Sequence, residues 1–86
     1  MRRRILPTPD GFVEVVNWDG LVEEVRRNPG LLKMFEESMI LLEALDNLIK
    51  EGIVEFSSGS KVDHHKLVRA ARETLEELKR AVRGSA

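Results

Sequence analysis

The chain has no cysteine, no tyrosine and no glutamine. Without cysteine there are no disulfides, no thiol nucleophile and no thiolate metal ligand, and the cytoplasm is the expected compartment. Three phenylalanines and one tryptophan are the whole aromatic complement, which leaves little to stack on nucleic-acid bases. Missing glutamine, scarce asparagine and plentiful Arg and Glu make a thermophile-like composition. Long apolar runs are also lacking. The longest, Met39–Leu42, is far short of the ~20 residues that cross a bilayer, so no membrane role is expected. The basic start, Arg2-Arg3-Arg4, leads into Ile5-Leu6-Pro7 and not into the apolar core of a secretory signal. Charge of one sign is missing too: a net charge of -1 gives no global pull toward nucleic acid.

What is present is 42% hydrophobic and 34% charged residues over 86 positions, the composition of a folded chain. At 9.8 kDa a folded monomer should expose about 5,200 Å², which suits one small domain over residues 1–86. Such a domain, with neither disulfide nor metal to staple it, gains most from oligomerisation.

Periodicity predicts an α+β, mainly helical fold. Thr8-Pro9-Asp10-Gly11 is a turn signal, flanked by Arg3–Leu6 and by the β-branched and aromatic stretch Phe12–Trp18, so an N-terminal β-hairpin is expected. A short helix over Gly20–Arg27 follows, with Asp19 as its cap and Glu23/Arg27 at pairing distance. Asn28-Pro29 ends that helix and starts the next. In the long central helix, Leu31 to Lys50, the positions Leu31, Phe35, Ser38, Leu42, Leu45 and Ile49 form a coiled-coil seam. Met34, Leu41 and Leu48 repeat every seventh residue beside it. Gly52 should terminate this helix, with a short strand at Ile53–Phe56 and a loop at Ser57–Ser60 behind it. The last helix should begin near Ser60, on the capping box Ser60-Lys61-Val62-Asp63. Its seam, His64, Val68, Ala71, Leu75, Leu78 and Val82, is as long as the first. A long C-terminal helix antiparallel to the central helix is the expected arrangement, with Ile49 near His64, Leu31 near Val82 and Ser38 near Ala71 or Leu75.

Four groups of residues could carry chemistry. Asp63, His64 and His65 look like ligands, yet helical metal pairs need a spacing of three or four. Adjacent histidines diverge by ~100°, so His64 is read as packed in the seam and His65 as facing the charged side. The acids Glu36, Glu37, Glu43 and Asp46 could in principle hold Mg²⁺ but spread over a broad arc; solvation and surface pairing are the plainer roles, and no metal or cofactor is expected. Ser58, Gly59, Ser60 and Lys61 lead from a strand into a helix start, where free amides attract anions. Arg69, Arg72, Lys79, Arg80 and Arg83 share one sector of the last helix, and with Arg2, Arg3 and Arg4 could bind phosphates by counterion release. Surface pairs Arg69/Glu73 and Glu76/Arg80 offer the competing account.

The stretch Leu41 to Phe56 followed by Ser-Ser-Gly-Ser resembles the recognition helix and wing of a winged-helix protein, which implies nucleic-acid binding. It departs from that pattern where Glu43, Asp46, Asn47 and Glu51 would face phosphates. Leu32, Met39 and Ile40 rim the polar side of the central helix, so that Leu32, Met34, Met39, Ile40, Leu41 and Leu48 make a candidate interaction surface. The resulting expectation is a small non-catalytic protein-interaction or assembly module, a homodimer through the central helix or a binder of another protein. The alternative is a nucleic-acid-binding protein using the basic strip and the arginine-rich start.

Overall fold

The Thr8–Gly11 turn closes an antiparallel hairpin of β1 (Ile5–Thr8) and β2 (Gly11–Glu14) in the computed structural model, which describes residues 4–54 and 63–84. Pro9 and Asp10 keep negative φ, and Gly11, at φ +129, takes the conformation that a side chain would resist. Pairing runs Leu6↔Val13 and Thr8↔Gly11, and the Val15 N–H extends it to the Arg4 carbonyl at 2.8 Å. Pro7 therefore falls opposite Phe12 at a non-hydrogen-bonded position, where its missing N–H costs nothing.

The second strand is shorter than its apolar run. Asn17, not Asp19, caps α1 (Trp18–Arg27): its side chain accepts the Gly20 N–H at 3.0 Å, drawing Trp18 out of the strand and into the first helical turn. The expected Glu23–Arg27 pair forms at 3.7 Å, with Glu24 also reaching Arg27. Helix α2 spans Gly30–Lys50 without a break, and Pro29 precedes it without a side-chain cap.

Gly52 ends α2 as expected. Its N–H bonds the Ile49 carbonyl and the Ile53 N–H bonds the Leu48 carbonyl, the paired bonds of a Schellman cap, with Gly52 at φ +77. This is a correction for the expected strand: Ile53 and Val54 are bends folded back on the helix end, their amides spent on Leu48, while Glu55 and Phe56 lie outside the described residues. Open space surrounds the position of a Gly52 Cβ. Gly52→Ala should therefore cost only the backbone term, about 1 kcal/mol, read as a lower urea midpoint with unchanged slope.

Helix α3 runs His64–Gly84. Its cap is Asp63, whose carboxylate accepts the His65 N–H at 3.0 Å and whose carbonyl takes the first helical bonds. The expected start at Ser60 is thus corrected to His64; Ser60, Lys61 and Val62 lie outside the described residues. His64, Val68, Ala71, Leu75 and Leu78 are all buried and Val82 half-buried, as the seam requires. The helix packs antiparallel on α2, and β1 lies in the groove between the two. Leu6 and Pro7 are fully buried there, and the Ile5 N–H donates to Thr74 Oγ1 at 3.3 Å. One apolar cluster joins β1, α1, α2 and α3. Among the described residues no helix is long and apolar enough to cross a membrane.

Candidate functional site

Asp46 sits on the buried stripe of α2, one turn before the Schellman cap, and only 5% of it is exposed. An ionised carboxylate there would carry a large desolvation cost if unpaired. Its partners come from the first turn of α3. His64 Nδ1 lies 3.2 Å from Asp46 Oδ1 and His65 Nδ1 lies 2.9 Å from Oδ2. Adjacent histidines do diverge around the helix; a carboxylate with two oxygens collects both. A carboxylate accepts only, so both imidazoles donate through Nδ1. Lys50, one turn along α2, adds its ammonium at 3.5 Å from Oδ2. Burial pushes the Asp46 carboxyl up, but the His65 and His64 hydrogen bonds and the Lys50 charge outweigh it and hold the group below the usual carboxylate range.

The two rings differ in setting. His64 is buried, with the Phe12 ring edge-on at 5.7 Å, as its seam position implies. His65 is part exposed, and its Nε2 lies 3.3 Å from Arg69 Nη2. With its proton on Nδ1, Nε2 accepts from the guanidinium, so the line Asp46–His65–Arg69 runs from a buried anion to a surface cation. It opens onto a pocket of about 370 Å³ between α2 and α3, walled by Glu43, Asn47 and Lys50 on one helix and His65, Arg69 and Arg72 on the other. No known family, curated protein or solved structure matches this chain. Its chemistry is read from these contacts alone.

Among the described residues no three acidic or histidine side chains converge as metal ligands. Glu43 pairs with Arg72, and Glu36 with Lys79 at 3.2 Å, so both acids bridge α2 to α3. Asp46, expected at the surface, is the correction in that group. Its position had a signal: Phe35, Met39, Leu42 and Asp46 also step by four, three and four, and the third step of that second seam is an acid facing the seam histidine of α3.

The basic strip is largely committed. Arg69 turns to His65 instead of Glu73, Arg72 to Glu43, and Lys79 to Glu36 and Glu76. Arg4 stacks over Trp18 at 4.2 Å and pairs with Glu77 at 3.3 Å, tying β1 to α1 and α3. Among the described residues Arg69, Arg80 and Arg83 of the strip stand exposed without an ion pair, Arg69 hydrogen-bonded to His65. Arg2, Arg3, Ser58, Gly59, Ser60 and Lys61 lie outside the described residues, as does the wing of the winged-helix comparison.

The apolar candidates divide. Met39 is 5% exposed and belongs to the core, and Leu32 is half-buried against it; both are removed from the expected surface, because α3 approaches α2 from that side. Met34, Ile40, Leu41 and Leu48 remain exposed, Leu41 at 69% and Ile40 at 66%. Ala44 is exposed between them, and Ile53 continues the patch past the helix end.

Proposed function

We propose that this chain is a small non-catalytic assembly module that pairs with a second copy of itself through α2. One observation carries the reading: the outward stripe Met34, Leu41, Ala44 and Leu48, prolonged by Ile53, is an exposed heptad seam. The occupant is a second copy running antiparallel about a two-fold axis at Leu41. Met34 then meets Leu48 of the copy and Leu41 meets Leu41. The stripe is self-complementary in this register, which favours a second copy over an unrelated protein.

For the nucleic-acid alternative, carboxylates hold Arg72 and Lys79 of the strip and Arg69 turns to His65, which leaves Arg80 and Arg83 to meet phosphates. The cytoplasm is the compartment proposed for it, in keeping with a cysteine-free chain.

Light scattering at about 100 μM should return twice the chain mass. Leu41→Glu places two carboxylates face to face at the two-fold axis and should weaken the dimer at least about a hundredfold. The far-ultraviolet spectrum should stay unchanged, since Leu41 is outside the core. A wild-type chain that is monomeric at that concentration overturns the proposal.

A further inference from the structure

Between α2 and α3 the walls of the pocket form a ladder. Glu43, Asn47 and Lys50 follow one another at four and three residues along α2, and His65, Arg69 and Arg72 do the same in the opposite sense along α3. The outer rungs are balanced: Arg72 pairs with Glu43 at one end, and Lys50 and His65 share Asp46 at the other. The middle rung is not. It sets the Arg69 guanidinium against the Asn47 amide, a neutral group where a carboxylate would complete the ladder. Arg69 spends an N–H on the neutral ring of His65 and has no carboxylate partner among the described residues.

We infer that this pocket binds a small organic carboxylate at the middle rung. The walls hold three cations, Lys50, Arg69 and Arg72, against two carboxylates, Glu43 and Asp46, so a single negative charge brings the site to neutrality. A guanidinium fork matches the two oxygens of a carboxylate, and Asn47 offers an amide N–H beside it. Val68 on the floor supplies an apolar wall for a short aliphatic tail. The pocket has room for such a tail as well as the headgroup. A phosphate dianion would overcharge the same site while facing Glu43 and Asp46. Binding draws Arg69 off His65 Nε2, so the imidazole of His65 reports occupancy. The pocket lies on the α3 side of α2, away from the stripe at Leu41, and this inference holds whether or not the chain dimerises.

The test is a nuclear magnetic resonance titration of the Leu41→Glu chain with butyrate at constant ionic strength. The His65 ring nitrogens should shift saturably. Arg69→Gln should weaken that binding at least about tenfold, and Arg80→Gln, on the same helix but outside the pocket, should leave it unchanged. Inorganic phosphate at pH 8 should bind more weakly than butyrate. A blocked dipeptide with a free C-terminus separates the sources: tighter binding than butyrate assigns the site to peptide ends, weaker binding to free acids. No saturable shift, phosphate binding as tightly as butyrate, or equal losses in the two arginine variants would overturn the inference.

Discussion

Replacing Asp46 by alanine should lower stability by about 3 kcal/mol or more, the usual loss when one member of a buried ion pair is removed. For a domain of this size that is a melting point lower by roughly 12–24 °C, out of a total stability on the order of 4–13 kcal/mol. The loss has two parts. His64, 3% exposed, loses its Asp46 hydrogen bond at Nδ1, and His65 and Lys50 lose the anion that holds them at the helix crossing. Asp46→Asn should cost less, because one amide oxygen still accepts from one ring. The pH dependence has a defined sign. The folded carboxyl is held below its ordinary value of 3.8. Its contribution is complete above that value, falls as the unfolded chain begins to bind the proton, and is gone once pH has dropped through the lowered folded value. Urea melts from roughly pH 5 down to 2 should therefore show a steeper fall for the wild type than for Asp46→Asn. Parallel curves would remove Asp46 as the linked group.

The second large effect belongs to Leu78. At 0% exposure it sits one turn before Ala81, whose carbonyl takes the Arg26 guanidinium, at the junction of α3 with α1. Leu78→Ala leaves a void walled by elements that are fixed at both ends, so collapse is limited and about 3–4 kcal/mol should be lost. The same truncation at Val16, 93% exposed, should stay within about 0.5 kcal/mol. Equal losses at the two positions would mean that the described core is not the one that holds the chain together.

The helices were legible because their signals agree. In α3 a charged face and an apolar face alternate cleanly, so the seam from His64 to Val82 identifies the buried side without further knowledge. Gly52 was legible for a similar reason, since only glycine takes positive φ there at no cost. Helix α2 is different. Leucine, isoleucine and methionine occur around most of its circumference, and two seams run along it that share Phe35 and Leu42 but part at Ser38 or Met39 and at Leu45 or Asp46. Which one faces inward depends on where α3 and β1 settle, a tertiary choice that local periodicity does not contain. That ambiguity put Met39 on the surface and left Asp46 among the solvated acids. The cap of α1 failed for another reason: Asn17 and Asp19 are both good capping residues, and the hairpin length decides between them.

Strand β1 has a consequence for synthesis. It is made before α3, yet its seat is the groove that α3 completes, and the Ile5 N–H reaches across to Thr74. A nascent chain stalled before α3 has left the ribosome would hold a hairpin with only the α2 wall of its groove to dock on. Completion of the core must wait for α3 to emerge, so translation order and assembly order run against each other here.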